Sequence, residues 1–209
     1  YSIIKLMPSS KTDSAKIQAE IEGREDAMAS PFNERKVTEA AAHLLDLRGG
    51  QMHFLKLLKL LYIADREALR RWGIPITNDN YVSMDNGPVL SRTYNLIRDG
   101  GSRFWSEHIS APFDQYEIRL CAEKPDIQKL SPAEEKLLNE IFDRYGRMNR
   151  WDLVDETHNF PEWHDPHGSS TPISIREILR ALGEPEEEIN AIVAELGYEQ
   201  ELNERLEVA

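Results

Sequence analysis

Apolar residues recur at helical spacing along most of the chain, and this pattern predicts a mainly α-helical protein. A first helix is predicted to begin at Asn33, an N-cap type of residue, and to end at the glycines 49–50. The next helix, residues 53–72, is apolar around most of its circumference in its first half, as is typical of a helix packed on several sides. Gly73 and Pro75 end this helix. We therefore expect it to lie at the centre of the domain.

Two capping boxes predict helices in the second half of the chain. Ser131 and Glu134 flank Pro132 at the first helical position, and apolar residues follow at helical spacing. Ser174 and Glu177 mark a later helix start in the same way. Further helices are predicted at residues 91–98, 150–157 and 185–197.

Extended segments are few. Residues 81–84 are predicted to form one short extended segment, and residues 105–109 and 116–121 a hairpin joined by a turn at 112–114. The one cysteine, Cys121, falls in the second strand of that hairpin. The predicted fold is thus a single, mainly α-helical domain with a small antiparallel β-hairpin.

The chain divides into three parts by composition. Residues 1–30 hold few apolar residues and are predicted to be a flexible arm or a segment added to the natural sequence. Residues 31–183 are the predicted helical domain, and residues 184–209 an acidic C-terminal helix and tail with nine Glu and one Arg. This last part supplies most of the formal net charge of −12. Such a charge disfavours binding to phosphate backbones and favours a basic partner.

No membrane span is predicted. The longest apolar stretch, residues 54–64, is interrupted by Lys56 and Lys59 and is far shorter than the roughly 20 residues that a spanning helix needs. The sequence shows no signal peptide, and its single cysteine excludes an internal disulfide. We therefore expect a cytoplasmic protein without a membrane partner.

An ordered set of motifs resembles that of a known family. The motifs, in chain order, are KLLYIAD (59–65), GPV (87–89), Tyr94, YG (145–146), WDL (151–153), His158 and Trp163. This order is similar to that of the Panacea domain, also called the SocA-like antitoxin domain. The resemblance covers about residues 33–165. Asp85 and Asn86, which precede the Gly-Pro-Val motif, depart from the pattern of some relatives.

The resemblance implies an antitoxin of a type II toxin–antitoxin pair. Such a protein neutralises a cognate protein toxin by direct binding, or acts as an adaptor that delivers the toxin to a protease. The expected partners are therefore a toxin and, in the second case, a protease. The sequence leaves the choice between these two routes open.

The resemblance also singles out candidate toxin-binding residues. They are Tyr62, Asp65, Trp72, Asn86, Gly87, Pro88, Val89 and Tyr94. In the functional interpretation these residues shape a groove, since Tyr and Trp provide a large contact area at a small cost in side-chain entropy. In the structural interpretation they form an aromatic cluster beside a tight turn, with Asp65 accepting hydrogen bonds from backbone amides of the loop. Both interpretations stay open at the level of the sequence.

A metal-dependent hydrolase is one alternative function. Five residues with metal-ligating side chains lie close together in the sequence: His158, Glu162, His164, Asp165 and His167. Imidazole and carboxylate are ligands of zinc, but the spacing fits no helical His pair, and Pro161 and Pro166 interrupt the segment. A polar surface loop explains the same residues. We predict no catalytic, metal or cofactor site, and hence no enzyme.

A DNA-binding autoregulator is the other alternative. Arg66, Arg70 and Arg71 form a short basic cluster on a predicted helix. The cluster is small and the chain is acidic overall, so a nucleic-acid partner is not expected.

Overall fold

The computed structural model describes residues 32–112, 116–121 and 123–207, with side chains described as far as residue 198. The predicted arm, residues 1–30, lies outside the described residues. The helices in these ranges are α1 (Glu34–Leu47), α2 (Phe54–Trp72), α3 (Ser91–Asp99), α4 (Arg103–His108), α5 (Pro132–Tyr145), α6 (Arg150–His158), α7 (Ile175–Ala181) and α8 (Glu186–Glu207). The strands are β1 (Gln51–His53), β2 (Tyr81–Met84), β3 (Gly87–Leu90), β4 (Glu117–Arg119) and β5 (Thr171–Ile173). The mainly α-helical fold with small antiparallel sheets is confirmed.

Helix α2 lies at the centre of the core, as its apolar pattern predicts. Every side chain from Phe54 to Asp65 is buried, and Leu57, Leu58 and Leu60 are almost completely inaccessible. Helices α1, α5 and α6 pack around it. The predicted start of α1 is also confirmed, because the side chain of Asn33 accepts a hydrogen bond from a backbone amide of the first turn.

A three-stranded antiparallel sheet, in the order β3-β2-β5, covers one side of α2. The predicted extended segment 81–84 is strand β2. Contrary to the structural interpretation, the tight turn does not include the Gly-Pro-Val motif, since the chain turns at residues 85–86 and continues from Gly87 as strand β3. Pro88 fits there because β3 is an edge strand, where a missing N–H is tolerated.

The predicted hairpin between residues 105–109 and 116–121 is wrong. Residues 103–108 form helix α4, because Ser102 caps it and the side chain of Trp105 packs into the core with no exposed surface. Strand β4 pairs instead with β1, which lies far earlier in the sequence. Only an isolated bridge from Ile109 to Leu120 remains of the predicted pairing. Cys121 lies just beyond β4 and is exposed.

Both predicted capping boxes, at Ser131 and Ser174, are present in the structure. The predicted end of the last helix at Gly197 is wrong, since α8 continues to Glu207. A glycine inside a helix costs only about 1 kcal/mol and does not force an end. Helix α8 packs on α7, and its Ile192 lies against Gly73 at the C-terminal end of α2. Across the described ranges, no helix is long and apolar enough to cross a membrane.

Candidate functional site

Asp65 anchors the loop that follows α2. Its side chain is completely buried, and Oδ1 accepts hydrogen bonds of 2.9 Å from the backbone amides of Ile76 and Thr77. Oδ2 accepts from the hydroxyl of Thr77 and, at 3.0 Å, from that of Tyr81. Burial raises the pKa of Asp65 to about 6, although the hydrogen bonds from Thr77 and Tyr81 oppose the shift. The structural interpretation of Asp65 therefore matches its observed contacts.

Asp79, in the loop before β2, has an equivalent role at the start of α3. Its carboxylate accepts from the backbone amides of Arg92 at 2.8 Å and Thr93 at 2.7 Å, and from the Thr93 hydroxyl at 2.6 Å. It thereby caps α3, whose own N-cap residue, Leu90, has no side chain that can accept. Burial raises the pKa of Asp79 to about 6 as well. The sequence does not reveal this cap, because strands β2 and β3 separate Asp79 from α3 along the chain.

Tyr62 and Arg66 tie α2 to the loop after α6. The Tyr62 hydroxyl donates to Oε1 of Glu162 at 3.0 Å, and Arg66 Nε donates to the same oxygen at 2.8 Å. Both side chains also contact Phe160: the Tyr62 ring stacks with it at 6.3 Å between centroids, and the Arg66 guanidinium lies 4.3 Å above it. Glu162 is buried and engaged with α2, so its position is explained without a metal.

Lys59 brings three of the sequence motifs together. It is completely buried, and its Nζ donates to the carbonyl oxygen of Pro88 at 2.7 Å. Burial lowers the pKa of Lys59 well below its usual value. Gly87 has φ of +90°, and a Cβ there would lie 2.8 Å from Lys59 Nζ and 2.7 Å from Thr157 Oγ1. The KLLYIAD, GPV and Thr157-His158 motifs therefore meet at one close contact that requires glycine.

The histidine-rich loop covers the β2–β3 hairpin. The ring of His158 stacks on Trp163 at 4.0 Å between centroids, and Trp163 Nε1 donates to the Met84 carbonyl at 3.1 Å. Burial, with the field of Lys59 as a second cause, lowers the pKa of His158. The side chain of His167 is exposed. Among the residues that the structure describes, no three His, Cys, Asp or Glu side chains are grouped to hold a metal ion. Within the described residues, the hydrolase alternative therefore gains no support from a grouped set of ligands.

The structure separates the candidate toxin-binding residues. Tyr62, Asp65, Gly87, Pro88 and Val89 are buried, Asn86 and Tyr94 are half-buried, and Trp72 is exposed. Trp72 ends α2, whereas Tyr94 packs at the other end of that helix, with its ring 6.3 Å from that of Phe54. At 1.5 Å per residue, α2 is about 28 Å long. The buried members have little surface to offer, and the role of the set in toxin binding stays a prediction.

A second group of residues lies at the start of α2, and of its members only Trp151 belongs to a motif named in the sequence analysis. Tyr116 and Trp151 are exposed, and the Tyr116 ring lies 5.9 Å from that of His53 and 5.8 Å from that of Phe54. His53 caps α2 through Nδ1, which accepts from the amide of the second helical residue. Burial, followed by the field of Arg150, lowers the pKa of His53 to about 4. The sequence names Trp151 as part of the WDL motif, but no signal in it groups Trp151 with Tyr116.

The contacts above describe a mainly α-helical domain held by a buried network of polar residues, with the exposed aromatic side chains of Trp72 and Trp151 outside that network. The family described as antitoxin SocA-like, Panacea domain, matches residues 57–164, just over half of the chain, and the chain belongs to it. The matched segment contains the whole buried network from Lys59 to Trp163. No curated protein and no solved structure matches the chain.

Proposed function

We propose that this protein is the antitoxin of a type II toxin–antitoxin pair and that it binds a protein toxin directly. The observation that carries the proposal is membership of the SocA-like antitoxin family over residues 57–164. The net charge of −12 favours a partner with basic surface. Neutralisation by direct binding and delivery to a protease both begin with the formation of the same antitoxin–toxin complex. The proposed location is the cytoplasm, where such a toxin acts.

The contacts of the basic cluster on α2 disfavour the DNA-binding alternative. Arg66 pairs with Glu162 at 2.8 Å, and Arg71 pairs with Glu67 at 2.6 Å and with Glu140 at 2.8 Å. Arg70 also pairs with Glu67. These guanidinium groups are already neutralised within the protein, so the cluster provides little free charge for phosphates.

The test is a co-expression experiment with the product of the neighbouring reading frame. We expect that product to arrest growth alone, and the arrest to be relieved when this chain is co-expressed. The two proteins should then elute together in size-exclusion chromatography. A neighbouring product that is harmless, or whose toxicity this chain does not relieve, would contradict the proposal.

The same experiment separates the two routes. In a strain that lacks the energy-dependent proteases, neutralisation by occupancy predicts that growth is still rescued and that toxin accumulates in the complex. An adaptor predicts that rescue is lost, although the complex still forms.

A further inference from the structure

We infer that the surface formed by His53, Tyr116, Arg150 and Trp151 at the start of α2 docks an acidic segment of a protein partner. We call it the aromatic–cationic surface. The identification of that partner as the toxin rests on the proposed function, whereas the chemistry of the surface does not. Within the described residues, no member of the buried network around Lys59, Tyr62, Asp65 and Asp79 belongs to this surface, although Trp151 is part of the WDL motif.

The aromatic side chains of the aromatic–cationic surface are exposed. Tyr116 is 43% exposed and Trp151 is 41% exposed. Tyr116 packs against His53 and edge-on against Phe54, so its ring is supported from the protein side and open on the other. The Arg150 guanidinium lies 5.3 Å from the Trp151 ring. Tyr, Trp and Arg are the residue types that dominate binding energy in protein interfaces.

The backbone of Tyr116 has a strained conformation. Its φ is +72°, in the left-handed region that a bulky side chain rarely adopts. Such strain persists only when the surrounding structure holds it, and it is concentrated at binding and active sites. Here the strained residue is Tyr116, whose ring packs on His53 and Phe54 and forms part of the aromatic–cationic surface.

Several cationic side chains lie around the aromatic–cationic surface. Lys56 Nζ donates to the carbonyls of Gly146 and Met148 at 2.7 and 2.6 Å, which places the loop carrying Arg147 against α2. Burial lowers the pKa of Lys56, and the field of Arg48 adds to this shift, so Arg48 is close to the same point. Among the described side chains, those of Arg48, Arg147 and Arg150 form no salt bridge.

The local acids do not cancel these cations. Glu117 lies opposite His53 in the β1–β4 pairing. Its field raises the pKa of Lys56 and so opposes the effect of Arg48. Asp152 is exposed one residue beyond Trp151. Unpaired arginines in a chain of net charge −12 therefore form a local positive region, and charge complementarity requires an anionic occupant.

A protein segment fits this region better than a nucleic acid. A polyanion extends well beyond a few arginines and would meet the acidic remainder of the chain, whose net charge is −12. A short acidic segment with one apolar or aromatic side chain would satisfy both the arginines and the rings. The expected occupant is therefore an acidic loop or terminus of the partner.

The binding test uses a short fluorescein-labelled synthetic peptide in which Glu and Asp surround one Phe. Fluorescence anisotropy measures its affinity for the full chain, with a peptide carrying Lys at the acidic positions as the control. We expect Arg150→Glu and Trp151→Ala each to weaken binding about tenfold or more, as for central interface residues. Binding should weaken further as salt shortens the Debye length to about 8 Å.

Two matched variants control for general effects. Tyr198→Ala removes an aromatic side chain that is 68% exposed on α8, the helix whose Ile192 lies against Gly73 at the C-terminal end of α2. Arg176→Glu makes the same charge change on α7. The Arg176 side chain donates a hydrogen bond to Asn190 of α8, and α8 lies against the C-terminal end of α2. Neither control should change the affinity. Equal losses in the controls and the surface variants, unchanged affinity in the surface variants, or no binding of the acidic peptide would overturn the inference.

Two further arms separate the possible failures. Tighter binding of a single-stranded oligonucleotide at the same residues would assign the surface to nucleic acid and overturn the inference. In the co-expression experiment, rescue that survives Arg150→Glu and Trp151→Ala would leave the antitoxin function intact and remove the toxin from this surface. Peptide binding without any toxic neighbour would contradict the proposed function alone.

Discussion

Polar and aromatic residues around the middle of α2 and around its start are placed in opposite ways. Beyond Lys59, the polar atoms of Tyr62 and Asp65 turn inward and find partners in the loops around the helix. At the start of the helix, Tyr116 and Trp151 expose their rings. Several motif residues thus belong to a buried network, and we predict a division of roles in which contact with a partner falls to residues outside that network.

Leu58→Asp should have the largest effect and should prevent stable folding. Leu58 is 1% exposed, and a charge at that depth is expected to cost more than about 4 kcal/mol. Urea unfolding and far-ultraviolet circular dichroism measure the loss. The matched control is Leu47→Asp, since Leu47 is 38% exposed at the end of α1. A folded Leu58→Asp variant would show that the central position of α2 is wrong.

The sequence predicts elements that depend on local signals and misses those that depend on distant partners. The capping boxes at Ser131 and Ser174 lie within one helical turn, so both helix starts were predictable. The extended segment predicted at residues 116–121 contains β4, but its pairing could not be assigned correctly, because its partner β1 lies more than sixty residues away. The missed capping role of Asp79 has the same physical cause.

The candidate site was predictable only in part for a related reason. The hydrogen bonds of Asp65 to a following loop were among the expected contacts, because carboxylates accept well from backbone amides. The complete burial of Lys59 and the burial of Glu162 were not predicted, since charged residues are usually exposed unless a specific partner compensates. Such partners, here Pro88 and Tyr62, are brought close only by the fold.

Gly87→Ala should have the next largest effect, because it fills the contact among three motifs. The new Cβ would lie 2.7 Å from Thr157 Oγ1 and would sit on a residue with φ of +90°. Steric strain and the left-handed backbone together are expected to cost about 3 kcal/mol. Gly100→Ala is the control, with φ of +88° and no atom within 4 Å of a Cβ. Equal melting temperatures for the two variants would show that the close contact at Gly87 is unimportant.

Asp65→Asn should change how stability depends on pH. The pKa of Asp65 is raised from 3.8 to about 6 in the folded protein, so the folded state binds the proton more tightly than the unfolded state. Its contribution is fully present below pH 4 and is lost as pH rises through 6. From pH 4 to 7.5, the free energy of unfolding of the variant should therefore rise relative to that of the parent by about 2 to 3 kcal/mol.

Urea titrations of parent and variant across this pH range provide the measurement. Because the field of Asp79 also raises the pKa of Asp65, part of the difference belongs to the pair. Asp152→Asn, which removes a carboxylate at an exposed position, is the control. Parallel profiles for parent and Asp65→Asn would mean that Asp65 is not buried as described.

Removal of the acidic residues 199–209 should have the smallest effect and should sharpen the division further. The truncation keeps Tyr198 and removes four Glu and one Arg. Exposed charges contribute about 1 kcal/mol or less, so toxin binding should weaken slightly, and mainly at low salt. Isothermal titration at low and physiological ionic strength would measure this against Trp151→Ala. If truncation abolishes binding while Trp151→Ala leaves it intact, charge at the C-terminus, rather than the aromatic–cationic surface, holds the partner.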